Sequence, residues 1–166
     1  LITFFAYGIR PWLLIAVCVS SAVLSEWLFS MIFLKKKNSV NDLSAVVTGI
    51  LLSFVLPPYI PLYVAAFGGA VAVIFGKMAV GGLGRNTFNP ALLGREFIVV
   101  FFLPVMINKT IWGGGGLLKY DGIKIFDFAD TIGLADYLNR VFFNPNGVIG
   151  EYSIVLLVIG GIYLIY

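Results

Sequence analysis

The stretch Lys77–Ala91, KMAVGGLGRNTFNPA, decides the reading of this chain. Three glycines, two asparagines and two cations follow directly on a strongly apolar helical run that ends near Met78. Irregular backbone and charge at membrane depth are tolerated only where protein or a water-lined cavity satisfies them. The stretch therefore reads as a site, not a linker. Gly81, Gly82 and Gly84 open backbone geometries closed to other residues, and Asn86 and Asn89 add neutral carbonyls and amides. Asn89-Pro90 puts proline at a helix start, where its missing donor costs nothing. Such a break could coordinate a cation or hold the polar edge of a cofactor, or it could be a tight turn packed between helices. It is not a phosphate loop, since the Gly-x-x-x-x-Gly-Lys-Ser/Thr pattern and the preceding strand are both missing.

That reading presupposes a membrane, and the composition supplies one. Of 166 residues, 60% are hydrophobic and 11% charged, with a mean hydropathy of +1.02. A soluble domain of this size needs far more polar cover. The net charge of +3 is small and its cations are scattered among apolar runs, which argues against a nucleic-acid partner. Cys18 is the single cysteine and there is no histidine. Disulfides within the chain, CxxC chemistry and imidazole chemistry are thereby excluded, leaving carboxylates, hydroxyls, amides and backbone groups.

Working outward, the pattern predicts an all-α polytopic membrane bundle. Residues 1–8 resemble the tail of a span. Residues 12–34 supply the roughly twenty residues that a hydrocarbon core requires, interrupted by Glu26 and closed by Lys35, Lys36 and Lys37. Residues 44–56 form a shorter run stopped by Pro57, Pro58 and Pro61, which fits either a re-entrant helix or a bent span. Residues 62–78 carry Gly68, Ala72 and Gly76 at spacings of four, a pattern that lets backbones approach closely and predicts a central helix. Residues 91–107 contain Arg95, Glu96 and a kink at Pro104, a polar external segment occupies 108–148, and a further span starts at 149.

Lys35–Lys37, Lys77, Arg85 and Arg95 fall at helix ends on one side if every element crosses, and that side is expected to be cytoplasmic. The chain opens at Leu1 without methionine and its last apolar run reaches Tyr166. A piece of a longer membrane protein is the expectation, and the start lacks the cationic leader of a signal peptide.

Several of these segments carry a family resemblance. Asp42-Leu43-Ser44-Ala45-Val46-Val47-Thr48-Gly49-Ile50-Leu51-Leu52, Leu56-Pro57-Pro58, Gly76-Lys77, Gly81-Gly82-Leu83-Gly84-Arg85-Asn86, Phe88-Asn89-Pro90-Ala91 and Gly150-Glu151-Tyr152-Ser153 resemble the NqrB/RnfD family. That family holds membrane proteins of the Rnf complex and of the sodium-pumping NADH:quinone reductase. The resemblance implies a ten-helix, inverted-repeat bundle related to urea transporters, with residues 1–107 as most of the first repeat and the run from 149 opening the second. It implies a component of a redox-driven translocase that passes electrons and moves Na+ or H+, working with other subunits in the lipid of a bacterial or archaeal inner membrane. A redox-silent relative serving as channel or scaffold is the alternative.

Family members carry FMN joined to a threonine in an external loop. The resemblance aligns Asp130–Leu138 with that loop and sets Asp136 at the acceptor position. A carboxylate cannot form the hydroxyl-derived phosphodiester, and the nearest hydroxyl, Thr131, stands where the family has glycine. Met78 likewise stands where the quinone-reductase relatives place an acid linked to sodium uptake, a departure shared by the Rnf type.

The remaining membrane carboxylates are Glu26, Glu96 and Glu151, each of which needs a partner if ionised. Arg95 beside Glu96 points about 100° away on a helix, so the partner of Glu96 is expected on another helix, with Lys77 a candidate unless Lys77 and Arg95 snorkel to the interface. Glu151 is expected to open a helix and to be stabilised there by its dipole.

Overall fold

A computed structural model of the chain describes residues 7–34, 42–82, 88–108, 111, 148–151 and 154–165. Among them every regular element is helical. Helix α1, Arg10–Phe29, has Pro11 in its first turn and continues as a π turn over Ser30–Leu34. Helix α2 is Ser44–Phe54, α3 is Leu62–Val73 extended by a π turn over Ile74–Met78, and α4 is Pro90–Phe101. A short α5, Leu103–Ile107, follows a break at Phe102, so the kink expected at Pro104 falls two residues before it. A 3-10 turn, Ile149–Glu151, precedes α6, Ile154–Ile165. Most of the polar segment expected over 108–148 lies outside the described residues.

Residues Arg10–Phe33 form a helix long and apolar enough to cross a membrane, with a mean hydropathy of 1.9 in its best window. The α2 run is only 11 residues, about 16 Å at 1.5 Å per residue. Its prolines nonetheless carry the chain to the level at which α1 begins. Tyr59 meets Tyr7 edge to face at 5.9 Å, and Leu56, Pro57, Pro58 and Ile60 are buried there. The backbone of this loop is satisfied internally: Tyr59 N–H donates to the Ile111 carbonyl at 3.1 Å, and the Leu56 carbonyl accepts from Ile149 N–H at 3.3 Å. Helix α2 thus runs antiparallel to α1, and α3 runs back beside α1 in the same direction.

Two stripes of small residues on α3 fix this packing. Ala65, Gly69, Val73 and Lys77 follow each other at four-residue spacing and face α1. The Ala65 carbonyl lies 3.9 Å from Cys18 Sγ, and Gly69 sits so close to Ser21 and to the Cys18 carbonyl that a Cβ would collide with both. On the other side Gly68, Ala72 and Gly76 face α4. A Cβ built on Gly94 would stand 2.7 Å from the Gly68 carbonyl oxygen and 2.8 Å from Ala72 Cβ, and one built on Gly76 would stand 2.7 Å from Pro90 Cα. The central position expected for residues 62–78 is what the structure has. Helix α1 offers the complementary stripe, with Leu14, Cys18, Ala22, Glu26 and Ser30 buried in steps of four.

The outward faces are apolar. Trp12, Leu24, Trp27 and Met31 on α1, and Leu92 and Val100 on α4, are exposed. On α6 the described side chains from Leu157 to Ile165 are exposed.

Candidate functional site

The ends of α1, α2 and α3 converge on one buried cation. Lys77 lies within the π turn that closes α3, where Ala79 N–H reaches back five residues to the Ile74 carbonyl at 2.8 Å and Gly82 N–H reaches back to the Lys77 carbonyl at 3.0 Å. An extra residue per turn of this kind is common at functional sites. Lys77 is 2% exposed and its Nζ donates to Glu26 Oε1 at 2.7 Å. Glu26 itself has no exposed surface. The same ammonium lies 3.3 Å from each oxygen of Asp42 and also donates to the Ser44 hydroxyl. Asp42 is the rim of the arrangement, with 30% of its side chain exposed.

Local structure explains why Asp42 is there. Its Oδ1 accepts from Ser44 N–H at 3.0 Å and from the Ser44 hydroxyl at 2.8 Å, so the carboxylate covers a free donor at the start of α2. Leu43 between them takes a left-handed conformation, φ 55° and ψ 5°, which costs roughly 1–2 kcal/mol for a residue with a Cβ. Burial opposes the charge on Asp42, but the two Ser44 hydrogen bonds and the Lys77 ammonium outweigh it and hold the carboxyl below its ordinary range. A depressed folded-state value contributes stability that is complete above the unfolded carboxyl's ordinary range and lost as pH falls through the folded value. Thermal unfolding of Asp42→Asn against the parent should therefore show a gap at neutral pH that closes on acidification below about pH 4.

The structure redistributes the residues that the sequence singled out. Lys77 neither snorkels nor pairs with Glu96. It turns inward because the Ala65–Gly69–Val73–Lys77 stripe faces α1, and Glu26 occupies the matching place there. Glu96 is exposed on α4 beside Leu92 and Val100, on the opposite side from Ala91, Gly94 and Ile98. Arg95 is half-buried in mid-helix, one residue from the Gly94 contact with Gly68 and Ala72, and not at a helix end. Its Nε is buried and makes no hydrogen bond.

Gly81 and Gly82 adopt φ of 109° and 93°, as the glycine run implied. Asn89 is a cap: its Oδ1 accepts from Ala91 N–H at 3.0 Å and Pro90 opens α4. Glu151 closes a 3-10 turn ahead of α6 and does not itself open that helix. Gly84, Asn86, Thr131 and Asp136 lie outside the described residues. Asp42 and Ser44, quoted in the sequence only as part of a motif, are the members of the Lys77 network that sequence reasoning missed.

Lys77 of the buried ion pair, the glycines at positive φ after it and the Asn-Pro helix start all lie in segments that carried the family resemblance. The family model for NQR2, RnfD and RnfE matches residues 1–166. The chain belongs to that family. It is 37% identical to the D component of the proton-translocating ferredoxin:NAD(+) oxidoreductase complex of Clostridium ljungdahlii, over 98% of this chain and 52% of that protein. It is also 37% identical to the D component of the Na(+)-translocating ferredoxin:NAD(+) oxidoreductase complex of Acetobacterium woodii, again over 98% of this chain and 52% of the relative. With the B component of the Na(+)-translocating NADH-quinone reductase of Pseudoalteromonas atlantica it shares 33% identity over 79% of this chain and 33% of that protein. The chain thus spans about half the length of the two ferredoxin:NAD(+) oxidoreductase relatives it matches.

Proposed function

We propose that the chain is part of the membrane subunit of a redox-driven, ion-translocating oxidoreductase of the Rnf type. The observation that carries this is the buried Glu26–Lys77–Asp42 network at the junction of three membrane helices. Ionisable groups are costly in such a place and usually mark an ion or proton route. Charged groups held by a web of hydrogen bonds, rather than a neutral apolar plug, suit a protein that must let a cation pass without letting water leak. The Rnf type is favoured over the quinone-reductase type because identity to the ferredoxin:NAD(+) oxidoreductase relatives is higher and covers more of the chain.

In this reading the bundle forms part of a ten-helix inverted repeat in the inner membrane of a bacterium or archaeon, with the Lys77 end toward the cytoplasm. Other subunits of the complex supply the electron donor and acceptor, and the moved ion is Na+ or H+. Membrane vesicles bearing the assembled complex test it: redox-driven cation uptake should appear with the full-length protein present and vanish when it is omitted. Uptake that persists in its absence would contradict this reading.

Covalent FMN does not fit this chain at the family's acceptor position, because Asp136 offers no hydroxyl for the phosphodiester. The full-length protein, denatured and run on a gel, should therefore show no ultraviolet-excited flavin fluorescence attributable to residues 1–166. A fluorescent band that survives mutation of every hydroxyl outside this region would contradict that expectation.

A further inference from the structure

Arg95 and Glu96 stand side by side on α4, and among the described residues neither side chain enters an ion pair or a hydrogen bond. Arg95 is half-buried with its Nε sealed from solvent and unpartnered, whereas Glu96 is exposed. At 100° per residue the two share one side of α4 with Leu92, Val99 and Val100, away from the side on which Ala91, Gly94 and Ile98 are buried. Their depth follows from the packing. Gly94 meets Gly68 and Ala72 of α3, and Gly69 of α3 meets Cys18 and Ser21 of α1. Arg95 and Glu96 are therefore level with the middle of Arg10–Phe33, the helix long and apolar enough to cross a membrane.

Charges at that depth are costly, and they turn to a bundle interior, to a water-filled cavity or to one another. The last course is closed, because neighbouring residues on a helix do not face each other. Lipid cannot serve either, since no headgroup reaches the middle of the bilayer. A water-filled cavity would be lined with polar groups, whereas Leu92, Val99 and Val100 surround the pair with hydrocarbon. We infer that this side of α4 is the seat of a further membrane helix of the same full-length protein, one that carries a carboxylate for Arg95 and a hydrogen-bond donor for Glu96.

Lys77 shows how the bundle treats a charge at depth, since Glu26 of a neighbouring helix meets it. Arg95 asks for the same treatment in a stricter form: a guanidinium grips a carboxylate through two parallel N–H donors, a geometry that an exposed rim does not hold. Leu92 and Val100, one turn to either side of Glu96, are the apolar flanks that keep water from such contacts. The two charges also fix register, because a helix slid by one turn would leave both bare. The source is the same protein, because a bundle that waited for another subunit would hold both charges uncovered in the bilayer until assembly. The two ferredoxin:NAD(+) oxidoreductase relatives, of which this chain covers 52%, have the length for it. The inference rests on the membrane placement proposed above and not on transport, so it can fail while redox-driven uptake stands.

The test uses the full-length protein alone in lipid nanodiscs, with a nitroxide attached at Leu92→Cys or at Val100→Cys, substitutions that leave both charges in place. Cys18 has no exposed surface and does not compete for the label. Each nitroxide should collide neither with oxygen dissolved in the lipid nor with a water-soluble nickel chelate. Collision with oxygen would place the face in lipid and overturn the inference, and collision with nickel would place it in water and do the same. Shielding that arises only in the assembled complex would assign the face to another subunit and overturn the source. Thermal unfolding of the full-length protein tests the pairing without a label. Arg95→Met should strand the carboxylate and lower the midpoint by about 5 °C or more, whereas Arg95→Lys, which keeps the charge, should lose less. A midpoint unchanged or raised by Arg95→Met would overturn the pairing, because removing a charge that has no partner costs nothing.

Discussion

Lys77→Met is expected to lower the stability of the full-length protein by about 3–5 kcal/mol, the cost of stranding a buried carboxylate whose ionic partner has been removed. The ammonium is 2.7 Å from a Glu26 carboxylate that has no exposed surface, so little solvent is available to replace it. Pairing, not charge as such, is what the position demands. The double variant Lys77→Met/Glu26→Gln should therefore be more stable than Lys77→Met alone, because the stranded charge is gone, and the cycle should return a coupling well outside the scatter of independent sites. Losses that simply add would mean that the two side chains do not meet. Lys77→Met/Asp42→Asn should recover less, since Asp42 is partly exposed and screened.

Gly94→Leu should be comparably damaging for a different reason. The first added carbon would stand 2.7 Å from the Gly68 carbonyl oxygen and 2.8 Å from Ala72 Cβ. A backbone oxygen and a Cβ cannot rotate aside, so α3 and α4 must separate along their whole small-residue seam. Overpacking of this kind costs about 1–3 kcal/mol even for modest insertions, and leucine adds more than a methyl group. Gly49→Leu should behave alike, with Val19 Cα 2.6 Å from the new Cβ. Unfolding of the set against the parent in one detergent orders them, and a Gly94→Leu as stable as the parent would mean that the α3–α4 seam is not closed.

Both effects trace to residues whose meaning is only partly written in the sequence. The small-residue spacing of Gly68, Ala72 and Gly76 announced a central helix, because close backbone approach has few other causes. Proline and glycine punctuation placed α3 at Leu62–Met78 and the start of α4 at Pro90. The sequence leaves the partner of Lys77 open because a cation at a helix end has two acids, Glu26 and Glu96, within plausible reach. The faces could have decided it. Glu26 continues a stripe of Leu14, Cys18 and Ala22, whose small residues mark an interior, whereas Glu96 lies between Leu92 and Val100 on a bulky, exposed face of α4.

Asp42 and Ser44 were harder to see. Their contact with Lys77 depends on a left-handed Leu43 and on a π turn that adds a residue to α3, and neither leaves a signature in composition or periodicity.

If the Glu26–Lys77–Asp42 network belongs to the ion route of a redox-driven pump, the charge on Glu26 is what transport cannot do without. Glu26→Gln keeps the size and buried contacts of the side chain while removing that charge. Measured in sealed vesicles carrying the assembled complex, redox-driven cation uptake by this variant should fall to background although the complex still assembles. Uptake equal to that of the parent complex would contradict a place for the network on the ion route.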